Sequence, residues 1–392
     1  GGAAPKKGRG KPQYAGGLVL EPKKGLYETY ILLLDFMSLY PSIIQEYNIC
    51  FTTMEWAKYK TKSTNPAEDE EEAGFDGLPP DPENIDDKGV VPKVIRTIIN
   101  RRVQVKQLLK QETDVGKKQQ LDIRQKALKL TANSLYGCLG FSSSRFHAQP
   151  IAALVTAKGR QILQRTVDLA ENNMGLEVIY GDTDSIMIDT KCTDLKEVNE
   201  IGKKVVNECN KLYRTLELEM DGVFKTMLLL KKKKYAALVV NEAKDGTVTL
   251  TKEMKGLDLV RRDWCGLSKT TGEIILDRIL SGEPKEVVVK AIHDCLETLA
   301  VRMRTGEVEV EEYIITKGLN KSIKDYPDAK SQPHLQVAKR MLTEGKMVNT
   351  GDHIPFVICN RVAQGGVAAS STAATGEGDK GEAKDGEKKT EA

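Results

Sequence analysis

Three aspartates are the residues best placed to do chemistry. Asp35 closes the apolar run Ile31-Leu32-Leu33-Leu34 and opens the segment Phe36-Met37-Ser38-Leu39-Tyr40-Pro41-Ser42. Asp182 and Asp184 sit two apart in Tyr180-Gly181-Asp182-Thr183-Asp184-Ser185, a tight turn between two short apolar stretches. Carboxylates gathered at strand ends repel one another unless a hard cation neutralises them. An all-oxygen ligand set selects Mg²⁺ or Mn²⁺ over zinc, and two such ions suit in-line displacement at phosphorus. Either segment alone says less, because an aspartate in a turn commonly bonds its own backbone.

Cations at helical spacing supply the complementary half. Arg102 and Lys106 are four apart, so they share a helix face. Lys129, Asn133 and Tyr136 follow at i, i+4 and i+7 on the next expected helix. Two antiparallel helices aim both faces into one cleft, where a triphosphate finds dense donors. Any single lysine there is better read as part of a solvated face, but Asn133 and Tyr136 continue the same stripe and argue against that reading here. The backbone N–H groups of Ser38, Leu39 and Tyr40 can form a concavity that binds anions.

The elements expected to hold these residues alternate. Residues 31–34 read as a buried strand. Residues 92–110 read as a helix carrying Val94, Ile95, Ile98, Ile99, Val103, Val105, Leu108 and Leu109, and residues 122–136 as a second that Gly137 and Gly140 break. Helices are expected again over 151–172 and 195–212. Strands over 177–180 and 185–188 form a hairpin, and strands over 224–230 and 235–240 flank four lysines. The region after Trp264 reads as mostly helical. The fold class is α+β.

Composition sets limits. The 392 residues can bury a large core, and 59 basic against 56 acidic residues leave a net charge of only +3. Bulk charge therefore does not announce a nucleic-acid partner, and any basic surface is local. Seven scattered cysteines without a C-x-x-C pair argue against zinc and suit a reducing compartment. No apolar run is long enough to span a bilayer, and the N-terminus lacks the apolar stretch of a signal peptide. Residues 1–13 read as a disordered basic lead-in and 361–392 as a disordered tail. Between Glu68 and Asp87 lie ten acidic residues, no basic ones and three prolines, expected to form a solvated insertion.

The segments D-F-M-S-L-Y-P-S (35–42), K-L-T-A-N-S-L-Y-G (129–137) and Y-G-D-T-D-S (180–185), in this order, resemble the three polymerase motifs of the B family of DNA polymerases. The stretches around residues 124–141, 228–240 and 255–265 resemble its eukaryotic, primer-extending replicative branch, and the likeness runs from about Tyr14 to about Cys359. Met37 departs from it, since that branch carries Asn there. The resemblance implies a palm built from 14–91 (with the acidic insertion at about 60–90) and 148–262, fingers from 92–147 and a partial thumb from 263–360. It implies template-directed addition of deoxynucleotides to a primer 3′-OH. Asp35 and Asp184 would hold both ions, the Phe36 carbonyl would add a ligand, and Asp182 would be a nearby third carboxylate. Arg102, Lys106 and Lys129 would clamp the phosphates. Asn133 would lie near the nucleotide and Tyr136 beneath the nascent base pair, while Tyr40 would exclude a ribose 2′-OH.

For DNA, Tyr14, Gly16 and Gly17 resemble the Y-x-G-G motif that touches the template. Lys232, Lys233, Lys234 and Tyr235 resemble the K-K-x-Y motif that follows the duplex. Lys255, Arg261, Arg262 and Asp263 resemble the segment that meets the primer end. Such phosphate contacts position the duplex without reading its sequence. The implied substrates are primer–template DNA or RNA-primed DNA and deoxynucleoside triphosphates. The implied companions are primase and an accessory subunit, the implied compartment is the nucleus, and no membrane is involved. The chain is expected to be a piece of a longer protein, without an exonuclease segment and so without proofreading. Two other classes compete. A two-metal nuclease accounts for the carboxylates but not for the Lys129 stripe or Tyr40. An inactive DNA- or primase-binding scaffold accounts for a truncated chain but not for intact Asp35 and Asp184.

Overall fold

The computed structural model describes residues 14–59, 77–243, 246–329 and 331–359. The expected lead-in, the expected tail and the acidic tract up to Asp76 lie outside the described residues. The chain divides into two compact units at the Gly256–Leu257 junction.

The first unit is built on one antiparallel sheet. Its elements are β1 (Gly25–Tyr27), β2 (Ile31–Phe36), α1 (Leu39–Glu46), α2 (Val90–Gln111), α3 (Val115–Gly140), α4 (Gln149–Asp168), β3 (Glu177–Asp182), β4 (Ser185–Asp189), α5 (Leu195–Asn210), β5 (Leu218–Lys231), β6 (Lys234–Glu242) and β7 (Val248–Lys255). The strand order is β3-β4-β2-β5-β6-β7, with β1 paired to the far half of β5. The mixture of this sheet with separate helices makes the fold α+β, as the sequence implies.

The apolar run of β2 is buried on both faces because the sheet is covered unequally. Leu32, Leu34 and Phe36 enter the main core with α1, α4 and α5. Ile31 and Leu33 face the other side, beside Met187, Phe224, Tyr235 and Ala237. Side chains alternate along a strand, so Asp35 shares the face of Ile31 and Leu33. α5 approaches the sheet closely at Gly202, where a Cβ would lie 2.6 Å from the Met220 sulfur. Asp194 caps this helix by accepting from the Lys196 N–H at 3.0 Å.

Several boundaries differ from expectation for physical reasons. α3 runs 26 residues and passes through Gly137, where an added Cβ would meet nothing within 4 Å. Glycine weakens a helix without ending it when flanking turns are held. Asp114 caps its start by accepting from Lys117 N–H at 2.8 Å. Of the apolar residues of α2 only Pro92, Ile95 and Val105 are buried, while Val94, Val103 and Leu108 are exposed. The α2–α3 hairpin therefore projects from the core instead of lying in it. The second half of the acidic tract is exposed at Asp81 and over residues 83–87, as expected of a solvated insertion, but it is anchored at several points. Pro79 and Pro82 are buried, Lys158 of α4 pairs with Asp81 at 2.6 Å, and Arg214 pairs with Asp86 at 3.3 Å.

The second unit carries α6 (Gly266–Ile279), α7 (Lys285–Thr305), β8 (Ile315–Gly318), α8 (Pro333–Thr343) and β9 (His353–Phe356). β8 and β9 pair antiparallel. Leu319, Leu335, Ala338 and Ile354 form its small core. No helix among the described residues is long and apolar enough to cross a membrane.

Asp189, at the end of β4, is 2 % exposed. It accepts from Thr29 Oγ1 at 2.7 Å, from Lys191 N–H at 3.1 Å and from Lys191 Nζ at 2.5 Å. Burial pushes its carboxyl up, but these donors outweigh burial and hold it below the ordinary value. Its stabilisation is therefore present above the unfolded pKa of about 4 and is lost as pH falls through the lower folded value. Thr29→Val is expected to cost about 1–3 kcal/mol at neutral pH and to move the onset of acid unfolding to higher pH. Thermal unfolding between pH 3 and 7 checks both.

Candidate active site

The carboxylates meet because three strands are in register. Asp35 of β2 lies opposite Ser185 of β4, and Ser185 lies opposite Asp182 of β3. The Phe36 N–H donates to the Asp184 carbonyl at 2.8 Å, which ties the end of β2 to the β3–β4 turn. Thr183 in that turn has φ +63°, a conformation β-branched residues avoid. It is held there by its own N–H, which donates to the Leu18 carbonyl at 2.7 Å.

The negative charge at this point is only partly compensated. Burial first, then repulsion from Asp184, Asp221 and Glu219, pushes the Asp35 carboxyl up to about 7, against the pull of Lys129. Burial and Asp182 raise Asp184, with Lys129 and Lys233 opposing. Lys129 on α3 thus acts on both aspartates. Asp182 has its own partner: Lys233 Nζ donates to its two oxygens at 2.6 and 2.7 Å. Lys233 itself has φ +61°, and its N–H donates to the Tyr180 hydroxyl at 2.8 Å.

Among the described residues no three His, Cys, Asp or Glu side chains are set together as a metal cage. The donor chemistry nonetheless fits a hard cation. Asp35 and Asp184 are oxygen donors whose mutual repulsion is relieved by positive charge.

Two clefts flank this point. One, of about 440 Å³, is lined by Ser38, Gln45, Arg96, Arg102, Lys106 and Lys110. It brings the turn after Asp35 together with the basic face of α2. Ser38 adopts φ +55° as it leads into α1. The Leu39 side chain is buried. Arg102 Nε donates to Gln125 of α3 at 3.5 Å, so the two helices of the hairpin are cross-linked. The other cleft, also about 440 Å³, is lined by Asp35, Asp182, Asp221, Lys233, Tyr235 and Lys255, among others. Lys255 pairs with Glu253 at 3.2 Å, and Lys232 pairs with Glu21. Tyr235 is a core ring whose hydroxyl donates to Glu253 at 3.3 Å.

Tyr136 stacks on Tyr40 with ring centroids 4.3 Å apart, and its hydroxyl is 3.4 Å from that of Tyr14. Asn133 lies exposed on the same helix. Burial, then Asp184, pushes the Tyr40 hydroxyl up to about 12. Gly17 is needed here because a Cβ would fall 2.8 Å from Thr183 Cγ2 and 3.1 Å from the Tyr40 hydroxyl. Gly16, by contrast, has open space around it. In the second unit Arg261 pairs with Asp263 at 2.9 Å and Asp258 at 3.6 Å, and Arg262 meets the His353 ring at 3.1 Å.

A model of DNA polymerase family B matches residues 3–385. The chain belongs to DNA polymerase family B. It is 53 % identical over 351 residues to the DNA polymerase alpha catalytic subunit of Oryza sativa subsp. japonica, a match covering 89 % of this chain and 22 % of that protein. It is 53 % identical over 356 residues to the DNA polymerase alpha catalytic subunit of Mus musculus, covering 90 % and 24 %. It is 52 % identical over 355 residues to the DNA polymerase alpha catalytic subunit of Xenopus laevis, covering 90 % and 24 %. The chain spans about a quarter of the length of these curated relatives.

Sequence reading of this family B chain overlooked several residues around the site. Glu219 lies directly opposite Asp35, and the register slips between Leu33 and Leu34, so Asp221 is the extra residue of a bulge. The alternation Leu218-Glu219-Met220-Asp221 was the available signal. Arg160 and Thr156 of α4 carried none. Arg160 Nη1 donates to the Gly16 carbonyl at 2.7 Å and the Ala15 carbonyl at 3.2 Å, and Thr156 Oγ1 donates to the Ala15 carbonyl at 3.0 Å. These bonds fix residues 14–17 against Thr183 and Tyr40. Arg160→Met is expected to speed hydrogen exchange about tenfold or more in residues 14–20 and 181–184, consistent with losing a charge-assisted bond, and to leave β5 and β6 unchanged. Exchange mass spectrometry reads this directly.

Proposed function

We propose that the chain is the polymerising core of a replicative DNA polymerase. In this reading it adds deoxynucleotides to a primer 3′-OH under template direction. The observation that carries it is the convergence of Asp35, Asp184 and Lys129: two half-buried carboxylates from one sheet, tied together by the Phe36 N–H bond to the Asp184 carbonyl, with a cation from the projecting hairpin acting on both. A two-metal nuclease needs the carboxylates but gives Lys129 and the Arg102–Lys106 cleft no task.

The sheet with α1, α4 and α5 serves as palm, the α2–α3 hairpin as fingers, and the second unit as part of a thumb. Asp35 and Asp184 hold two divalent ions, Mg²⁺ or Mn²⁺, with the Phe36 carbonyl as a further ligand. When bound, such ions lower the pKa of the attacking hydroxyl and steady the leaving phosphate oxygens. Ser38, Leu39, Arg102, Lys106 and Lys129 receive the triphosphate, giving pre-placed donors where charge develops. Asn133 lies near the nucleotide, and Tyr136 carries the nascent base pair on the ring stacked over Tyr40. Tyr14, Gly16 and Gly17 meet the template. Lys232, Lys233, Lys234, Tyr235 and Lys255 follow the duplex on the open sheet face, with Arg261, Arg262 and Asp263 near the primer end. Lys233, paired with Asp182, keeps that third carboxylate neutralised. The substrates are DNA- or RNA-primed template and deoxynucleoside triphosphates, and the compartment is the nucleus. The whole protein's companions are primase and an accessory subunit.

Primer extension with the purified chain, Mg²⁺ and four deoxynucleotides tests the reading. Asp35→Asn and Asp184→Asn are each expected to lower extension by about a thousandfold or more, several kcal/mol of transition-state stabilisation. Because each removes a half-buried charge from among other carboxylates, the melting temperature in metal-free buffer is expected to hold or rise. Near-normal extension in either variant rejects the metal assignment.

Tyr40 gives a second test. Rejecting a 2′-hydroxyl needs a rigid wall, since a hydrogen-bonding site would favour it. Tyr40 is fixed by the Tyr136 stack and by Gly17. Tyr40→Ala is expected to lower the preference for deoxynucleotides over ribonucleotides by about a hundredfold, and Tyr40→Phe to keep most of it. An unaltered ratio of incorporation efficiencies in the alanine variant removes the gate.

A further inference from the structure

The α2–α3 hairpin carries every cation assigned above to the triphosphate, yet it projects from the core. Something must fix its base. α2 has Gly89 at its N-cap, with no side chain of its own first turn or cap residue satisfying the free N–H groups. Such groups need partners when buried. Two residues from the end of α1, some forty positions earlier, supply them. Asn48 Oδ1 accepts from the Gly89 N–H at 2.8 Å, and Cys50 Sγ accepts from the Val91 N–H at 3.3 Å.

Asn48 is completely buried and stands at φ +54°. Its Nδ2 donates to the Asn84 carbonyl at 2.7 Å and to the Asp87 carbonyl at 2.8 Å. Both donors of this side-chain amide and its oxygen thus point at residues 84–89. The Asn48 carbonyl accepts from Thr53 Oγ1 at 2.6 Å. Lys88 Nζ closes the other side by donating to the Gln45 carbonyl at 3.0 Å.

Cys50 is buried against Gly89, where a Cβ would fall 2.6 Å from its own Cβ and 2.9 Å from its sulfur. The thiol also accepts from Thr52 Oγ1 at 3.3 Å. Burial pushes the thiol up, but the Thr52 hydroxyl and the amides of Thr52, Val91 and Val90 outweigh it and bring it below the ordinary value. A sulfur so surrounded by donors is acting as a helix cap.

We propose that Asn48 and Cys50 are positioning residues for the nucleotide: they cap α2 from outside and so set where the hairpin holds Arg102, Lys106 and Lys129 relative to Asp35 and Asp184. This rests on the polymerase reading above. A helix with a pinned first turn carries its side chains in a fixed frame, and displacement at its base grows along its length. Losing the latch misplaces the phosphate donors without touching the carboxylates or the duplex surface. A small misplacement of a donor is enough to weaken catalysis.

The test uses the purified chain with Asn48→Gly, which keeps the left-handed backbone available, Cys50→Ala and Cys50→Ser. Hydrogen exchange is expected to rise about tenfold in the first turn of α2 for Asn48→Gly and Cys50→Ala, with β3 and β4 unchanged. The nucleotide KM is expected to rise about tenfold, while primer–template Kd stays within about twofold. Cys50→Ser, which restores an acceptor, is expected to return both readouts most of the way. Exchange in α2 unchanged in both deletion variants overturns the latch. So does a KM unchanged despite faster exchange, or a KM, kcat and Kd that worsen together with the melting temperature. If the unsubstituted chain extends no primer, the polymerase reading has failed instead, and exchange in α2 alone decides whether the latch exists.

Discussion

Two half-buried carboxylates held close together are the constraint around which this molecule is arranged. Asp35 is driven up to about 7 by its burial and by Asp184, Asp221 and Glu219. Left free, such groups would swing apart or stay protonated. The sheet prevents the first outcome, because the Phe36 N–H is bonded to the Asp184 carbonyl and β2 is bracketed by β4 and β5. The strained turn at Thr183 belongs to the same arrangement. Its left-handed backbone is tolerated because Leu18 binds its amide and Gly17 leaves room for its side chain. Strain at a functional turn persists only where the surroundings over-determine it.

From this centre the electrostatics grade outward. Lys129 reaches in from α3, and Lys233 binds Asp182 directly while also acting on Asp184. One face of the sheet is sealed by α1, α4 and α5. The other bears Asp35, Asp182, Asp221, Lys233 and Lys255 around an open cleft. Both tasks come from the period of two along β2, where Leu32, Leu34 and Phe36 go one way and Ile31, Leu33 and Asp35 the other.

The central strands, the β3–β4 hairpin and the long helices were legible because each carries a local signal: an apolar run, a Gly-Asp-Thr-Asp turn, or a 3.6-residue period. The three carboxylates and the Lys129–Asn133–Tyr136 stripe were legible for the same reason. The extent of burial was not. Val94, Val103 and Leu108 have the spacing of a core face, but the pattern does not reveal whether another element covers it. Asn48 and Arg160 were invisible for a different reason. Each acts on the backbone of a distant segment, and a backbone carbonyl or amide has no sequence signature. Asp221 depended on a bulge, which shifts register by one residue and leaves no mark in composition.

The sheet order also governs how the protein comes into being. β2 must wait for β4 and β5, which arrive only after the hairpin, α4 and the turn at Thr183 have been made. Closing so long a loop is entropically unfavourable before its contacts can repay it, which slows the pairing of distant strands. Until β4 emerges β2 has two unpaired edges, and until β5 follows it still has one, a species prone to stick to its neighbours. The cluster of Asp35, Asp182 and Asp184 is therefore among the last parts of the first unit to become native during synthesis. An interruption between β4 and β5 leaves a chain with its three aspartates present but one edge of β2 unpaired.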